Sequence, residues 1–310
     1  MSTRNPETMS DLITALGLTS GVANIMMQLS LPGVGYGVHE SRVVSGSPRR
    51  HPIKRARTTT QYLAVALLGD DEDRARMRVE VAGVHKAVVS TADSPVRYSG
   101  NSPELQKWVA ACLLRFYLDQ YTHLYGELPA DVLDRLVRSA SVLATTLNVH
   151  ESAWPQSWSA YLDYWDSMLP TLSIDEPIRE DFESLASMRF VVEAWGPIGR
   201  VLPAVAGRPY HFMTRAALPP EFRTMMGWTW SDDDQRAFER TVRLCRIADR
   251  LGVARLLRLG GHLMLADFRL RARYTERVLG RMRVSDVRIA DGGGRRRLAG
   301  GCSPSTSRIR

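Results

Sequence analysis

The sequence predicts an all-α fold, a core helix bundle with peripheral helices, and three observations support this prediction. Alternation of apolar and polar residues, the pattern of a half-buried strand, is rare along the chain. Segment 103–125 is long, apolar and aromatic, and the letters "NSPE" before it are typical of a helix start. Segment 70–90 opens with the acids "DDED", which suit the positive end of a helix dipole.

The individual elements follow from the same signals, taken in chain order. A first apolar helix is predicted over 8–29, and the glycines and proline of "LPGVGYGV" are expected to break it. A basic loop then leads to a short buried helix over 58–69, which ends at Gly69. The remaining predicted helices cover 70–90, 103–125, about 130–147, the aromatic stretch 154–169, 174–192 and 231–258. The Pro/Gly-rich stretch 196–220 is expected to separate the last two, and a short strand is possible at "YSG".

Composition places the 310-residue chain among soluble globular proteins, with 44% hydrophobic and 24% charged residues. The net charge of +8 is concentrated at the C-terminus, where residues 269–310 hold twelve arginines and three acids. We therefore predict one folded domain over 1–284 and a disordered, Arg/Gly-rich tail over 285–310. A tail of this kind is more often a solvated extension than a nucleic-acid site, so no nucleic-acid partner is expected.

The location of the protein is predicted from three features. The uncharged run 12–38 contains polar residues, glycines and Pro32, so no transmembrane segment is expected, although a peripheral membrane contact remains open. Acids precede this run, which argues against a secretory signal. The three cysteines form no CxxC pair, which suits a cytoplasmic location.

Three residues are candidates for a binding site. Arg55 and Thr59 are four apart and share one helix face, where a guanidinium and a hydroxyl can bind a carboxylate. His85 lies in an apolar run, surrounded at helical spacing by Val81, Ala82, Val88 and Val89. An apolar pocket, an imidazole and a carboxylate anchor are what b-type haem requires. From spacing alone, a lone helical histidine is more often a satisfied core or surface residue than a ligand.

A resemblance to a known family strengthens the haem hypothesis. The matching pieces are "HES", "RARTTTQYLAVALLGD", "VHKAV", "YSGNSPELQKWVAACLLRFYLDQY", "WPQSWSAYLDYWDSML" and "LPPEFRTMMGWTW", in this order within residues 27–246. In these pieces the chain resembles the MpaB-type oxygenases, which share a catalytic domain with bacterial rubber oxygenase. The resemblance implies a globin-like core with added helices and haem b as cofactor. It implies His85 as proximal iron ligand, with Arg55 and Thr59 in the haem site.

The resemblance is incomplete at the distal side of the expected haem. Rubber oxygenase has a lysine beside the haem-site threonine and a distal carboxylate, whereas this chain has Thr58 at the first position. Glu40 is the candidate for the carboxylate and for a catalytic base. The implied function is a haem b-dependent, oxygenase-like oxidoreductase that uses dioxygen on a small apolar or alkene-containing substrate. Two alternatives stay open: a non-enzymatic member that binds an apolar ligand, and an anionic-surface binder that uses the basic tail.

Overall fold

The structure, a computed structural model, describes residues 5–43, 50–275 and 278–280. It confirms the all-α prediction, because the β-structure of this described part is limited to isolated bridges, such as the one between Val89 and Ser99. The α-helices are α1 (Ala15–Leu18), α2 (Gly21–Leu29), α3 (Pro32–His39), α4 (Pro52–Leu68), α5 (Asp71–His85), α6 (Pro103–Tyr125), α7 (Ala130–Ser139), α8 (Ser141–Thr145), α9 (Trp158–Met168), α10 (Glu176–Ala186), α11 (Arg189–Trp195), α12 (Val201–Ala217), α13 (Pro220–Met226), α14 (Asp232–Arg250) and α15 (Val253–Tyr274). Short 3₁₀ helices cover Met9–Leu12, Glu151–Ala153, Leu169–Thr171 and Gly196–Arg200.

Helix α6 runs through the main hydrophobic core. It begins as the sequence predicts, with Ser102 accepting a hydrogen bond from the backbone N–H of Leu105 and Pro103 at its first position. Its side chains are buried along almost the whole length, because helices pack on several sides of it. Trp108 is fully buried and packs against Trp165 of α9, with 5.0 Å between the ring centroids. This core supports one end of the candidate site.

Helix α15 packs along α4, the helix that carries two of the candidate residues. Val65 of α4 and Phe268 of α15 belong to one buried apolar cluster. Gly261 allows a close approach, since a Cβ atom at this position would lie 3.0 Å from the side chain of Leu68. Burial of these aliphatic and aromatic groups fixes α4 from the side opposite to the main core.

The break predicted at "LPGVGYGV" is confirmed, because α2 ends at Leu29, but from Pro32 onward the stretch itself forms a new helix, α3. Pro32 takes the first helical position, where its missing N–H costs nothing. The glycines permit contact rather than a turn: a Cβ on Gly35 would lie 2.5 Å from the carbonyl oxygen of Leu29, and one on Gly33 would lie 2.9 Å from Leu105. The glycine signal in this stretch therefore reflects close packing between helices.

Other predicted boundaries also shift. The stretch 196–220 contains α12, which includes Pro209 inside the helix, so the loop prediction there is wrong. Segment 174–192 divides at Met188, which has φ +61°, and segment 231–258 divides at Gly252, which has φ +102°. The predicted first helix and the 130–147 helix are each divided as well, and α4 begins at Pro52, earlier than predicted. The predicted tail 285–310 lies outside the described residues.

Candidate functional site

Helix α4 places Arg55 and Thr59 on one face. Arg55 lies in the first turn, where its backbone N–H bonds the carbonyl of His51 at 2.9 Å. Tyr62 follows Thr59 by three positions and donates its hydroxyl to the carbonyl oxygen of Leu143. The tyrosine thus ties this face of α4 to α8 and fixes the direction in which the two candidate side chains leave the helix.

His85 is the last residue of α5. Asp70 caps the start of this helix through the backbone N–H of Asp73 at 3.0 Å, and the Asp73 carboxylate accepts from the N–H of Asp70 in return. The helix ends at His85, and segment 86–102 then folds back, with the N–H of Gly100 donating to the carbonyl of Val88 at 2.7 Å. His85 therefore stands at a helix terminus with a returning loop packed over it.

This ending changes the apolar environment predicted for His85. Val88 and Val89 follow the end of the helix, so the helical spacing used to place them beside His85 does not apply. Val88 does pack at this site, beside Gly100, but Val89 is 40% exposed and forms the isolated bridge to Ser99. Val81 packs against the cluster shared by α4 and α15.

The imidazole of His85 is held on one side by a buried amide. Gln106 is only 4% exposed, and its Nε2 atom lies 3.4 Å from Nδ1 of His85 and donates to the carbonyl oxygen of Gly100 at 2.7 Å. Gly100 permits this packing, because a Cβ there would lie 3.1 Å from the Cβ of His85 and 3.0 Å from that of Val88. Within the described residues, the other ring nitrogen, Nε2, has no hydrogen bond.

The electrostatics of the site keep His85 neutral. Burial and, to a smaller extent, the nearby Arg55 guanidinium lower its pKa to about 4, and the Gly100 carbonyl opposes both effects. At neutral pH the imidazole is therefore uncharged, which is the state that binds a metal ion. The effect of Arg55 on this pKa also establishes that the structure brings these two predicted residues together.

Arg55 and Thr59 offer unused donors. Arg55 forms no ion pair with any of the residues described, its side chain retains solvent contact, and burial nonetheless lowers its pKa. Thr58 and Thr60 bond backbone carbonyls of α4 at 3.1 and 2.9 Å, whereas Thr59 is exposed. A guanidinium and a hydroxyl one turn apart are suited to an anionic oxygen ligand.

A polar network that the sequence analysis missed supports His85 from behind. The N–H of Asn148 donates to Oε1 of Gln106 at 2.6 Å, and the Asn148 amide donates to the carbonyl of Asn101 at 3.2 Å. The Asn101 amide in turn donates to the carbonyl of Ala82 at 3.1 Å. The sequence offers no local signal for this network, because a buried amide is recognised only by the partners that satisfy it.

Glu40 lies at the end of α3, against the loop that covers His85. Its Oε2 atom accepts hydrogen bonds from Ser94 and, at 2.7 Å, from Tyr98. A small cavity of about 10 Å³ lies between Glu40 and Val88. This volume is close to the space that a single water molecule needs. No contact recorded in the described ranges joins Glu40 directly to His85, so the loop is what relates the two residues.

A larger recess opens at the first turn of α4. It has a volume of about 470 Å³, and three basic side chains line it together with apolar and aromatic ones. The lining residues are Arg50, His51, Pro52, Ile53, Lys54, Arg57 and Trp195.

Within the described part of the chain, no group of three or more His, Cys, Asp or Glu side chains is arranged to hold a metal ion. None of the helices that the structure describes is long and apolar enough to cross a membrane.

Comparison with known proteins identifies the family. The family model described as the catalytic domain of ER-bound oxygenase mpaB/B′ and rubber oxygenase matches residues 10–247. Uncharacterized proteins of Mycobacterium bovis and Mycobacterium tuberculosis are each 46% identical over 257 residues, which is 83% of this chain and 98% of theirs. No solved structure matches significantly. The chain therefore belongs to the family of the mpaB and rubber oxygenase catalytic domain.

Proposed function

We propose that the protein is a haem b-dependent, oxygenase-type oxidoreductase that uses dioxygen on a small apolar or alkene-containing substrate. The observation that carries the proposal is the state of His85. Its imidazole is neutral, the Gly100 carbonyl is a hydrogen-bond acceptor for the ring, and no described side chain bonds Nε2. A histidine that would hold haem iron needs an acceptor for one ring N–H, because this leaves the lone pair of the other nitrogen for the metal.

The remaining donors suit the rest of the cofactor. The Arg55 guanidinium has no carboxylate partner among the described side chains, and the Thr59 hydroxyl is one turn away. We assign both to the haem carboxylates, which would supply the missing negative charge. Haem, when bound, supplies a redox-active iron for oxygen chemistry, and the protein supplies orientation and electrostatics.

The proposed roles of the other residues follow from their contacts. Gly100 and Gln106 hold the His85 ring, since one permits close packing and the other donates to the loop carbonyl. Val88 limits water access on the loop side of the ring. Glu40 is the proposed base: Ser94 and Tyr98 occupy its Oε2, which leaves Oε1 to take a proton from a substrate. We place the protein in the cytoplasm, a reducing compartment that suits the buried free thiols Cys112 and Cys245.

The test is an absorption spectrum of the protein purified from haem-sufficient cells, compared with His85→Ala. We expect a Soret band with haem b in the wild type, and a lost or shifted band in the variant. His262→Ala is the matched control, because His262 is exposed on α15, and its spectrum should equal that of the wild type. Circular dichroism of all three proteins establishes that each is folded.

Two results would overturn the proposal. A colourless wild-type protein that takes up no added hemin excludes haem and leaves the apolar-ligand alternative. An unchanged Soret band in folded His85→Ala excludes His85 as the ligand. Loss of the band in His262→Ala as well would mean that the effect is not specific to His85.

A further inference from the structure

Helices α14 and α15 form a hairpin whose tip exposes two aliphatic stripes. The helices are joined through Leu251 and Gly252 and pack against each other. The stripe residues follow the spacing of three and four that places side chains on one helix face. They are Leu244, Ile247 and Leu251 on α14, and Leu256, Leu259 and Leu263 on α15. Each is more than half exposed, from 51% at Ile247 to 82% at Leu251.

Apolar surface exposed to this extent is typical of a binding site. Single exposed leucines are ordinary on soluble proteins, but six large aliphatic side chains on two adjoining helices form a patch. Nearby helix α1 adds Leu18, which is 65% exposed and packs in the same region. The patch lies apart from the residues proposed to hold haem, so a role in that site does not account for it.

The charge around the stripes has one sign. Residues 240–266 contain six arginines and a single acid, Asp249. That acid is turned inward, where it accepts from the N–H of Ala15 at 2.9 Å and from the hydroxyl of Tyr125 at 3.1 Å. Arg243, Arg250 and Arg255 are exposed, and none forms an ion pair with another described residue. The patch therefore combines apolar surface with uncompensated positive charge.

We propose that the hairpin tip is a peripheral binding surface for an anionic lipid bilayer. Helices with an aliphatic face and arginine flanks lie in the interface of such a bilayer, with the apolar side chains among the acyl chains and the guanidiniums at the headgroups. The cytoplasmic leaflet carries the matching negative charge. The proposal does not depend on haem, and it accounts for delivery of an apolar substrate that water dissolves poorly.

The positive charge of the hairpin favours a bilayer over a second copy of the chain as its binding partner. Two copies that paired along the α15 stripe would bring Arg255 and Arg258 close to the arginines of the other copy. Like charges across an interface oppose association. Anionic headgroups instead neutralise the exposed arginines of this region, so the lipid surface is the favoured occupant.

Sedimentation of the full-length protein with vesicles tests the proposal. We expect binding to vesicles of phosphatidylcholine mixed with phosphatidylglycerol, little binding to phosphatidylcholine alone, and weakening at high salt. Leu251→Asn combined with Leu256→Asn should weaken binding at least about tenfold, and Arg255→Gln with Arg258→Gln should reduce only the anionic preference. The matched control is Val201→Asn with Val205→Asn, because these α12 residues are similarly exposed and lie outside the hairpin.

Each contrary outcome overturns the assignment. Equal loss of binding in the α12 control would mean that general surface hydrophobicity is responsible. If removal of residues 281–310 abolishes binding and the hairpin variants have no effect, the lipid contact lies in residues 281–310. Light scattering without lipid tests for a dimer. If the leucine substitutions convert a dimer to a monomer, the occupant of the surface is a second copy of the chain.

Discussion

Gln106 donates a hydrogen bond to the carbonyl oxygen of Gly100 at 2.7 Å, and this contact links the core helix α6 to the loop that covers His85. The same amide group faces Nδ1 of the imidazole at 3.4 Å and, through its oxygen, receives the N–H of Asn148 at 2.6 Å. One buried side chain thus connects three separate segments at the back of the candidate site. The position of His85 depends on this connection as much as on its own helix.

Replacement of Gln106 by leucine should lower the free energy of unfolding by about 1–3 kcal/mol. The substitution leaves the Gly100 carbonyl and the Asn148 N–H buried without partners, which is the costly way to lose a hydrogen bond. Urea unfolding measures the change. Gln235→Leu is the control, because Gln235 is exposed on α14. We expect this control to change stability by less than about 0.5 kcal/mol. Equal effects of the two variants would contradict the assigned role.

Two glycines near His85 should respond to alanine in opposite ways. At Gly100 the new Cβ would approach Val88 and His85 to 3.0 and 3.1 Å. We expect this overpacking to cost about 1–3 kcal/mol. At Gly83, inside α5, a Cβ meets nothing within 4 Å. Alanine there should raise stability by up to about 1 kcal/mol. Thermal unfolding of both variants checks the contrast, and destabilisation by Gly83→Ala would refute it.

Arg55→Gln should raise the pKa of His85. In the wild type, burial and the Arg55 charge lower this pKa to about 4, and the substitution removes the charge while burial stays. The imidazole protons, followed by NMR against pH in the protein without cofactor, report the midpoint. Arg57→Gln is the matched control, because Arg57 lies 3.7 Å from Asp267 and faces away toward α15. A midpoint that does not move in Arg55→Gln would show that the two groups are not coupled.

The same lowered pKa gives the stability of the protein a defined pH dependence. A histidine whose pKa is lower in the folded than in the unfolded state favours unfolding as it gains its proton. His85 should therefore cost no stability above about pH 6.5 and cost progressively more down to about pH 4, where the folded form also protonates. The slope of unfolding free energy against pH should be smaller in His85→Ala over this window.

Asp73→Ala should release the end of α15 from the start of α5. The Asp73 carboxylate receives the guanidinium of Arg269 at 2.7 Å and also bonds the backbone N–H of Asp70. Asp73 is buried, so its loss leaves the Asp70 N–H without this acceptor and removes the main contact of Arg269, which then keeps its bond to Asp70 at 2.9 Å. We expect calorimetry to record a loss of roughly 2 kcal/mol. Asp71→Ala is the control, since Asp71 is fully exposed and its contact with Arg74 contributes little. A similar loss in the control would contradict the role of the Arg269 contact.

The sequence was most informative where local signals and packing agree. Helix α6 combines an N-cap, a proline at its first position and continuous apolar character, and the structure follows all three. The sequence was misleading within α3 and α12, where glycines and prolines indicate a break but the residues are helical. The decisive facts there are distances to residues elsewhere, such as the approach of Gly35 to Leu29, and no local pattern contains them.

The residues of the candidate site also fall into two groups, those that the sequence predicts and those that it does not. Arg55 and Thr59 are detectable because four positions on one helix define a shared face, and His85 because an imidazole is conspicuous among valines. Gln106 and Asn148 were missed, since they are 42 residues apart and neither carries a chemical signature outside its contacts. Supporting residues of this kind become visible only when the fold has brought their partners together.

The pairing of α15 with α4 has a consequence for the order of events during synthesis. Gln61 meets Asp267 across 206 positions, and the α15 partner lies beyond the region, residues 10–247, that matches the family model. The ribosome releases α4 early, but Val65 and Leu68 stay uncovered until residues 253–274 have emerged. Helix α4, with Arg55 and Thr59, thus reaches its final packing only after residues 253–274 have emerged. The proposed haem site would therefore be assembled late, after this packing has formed.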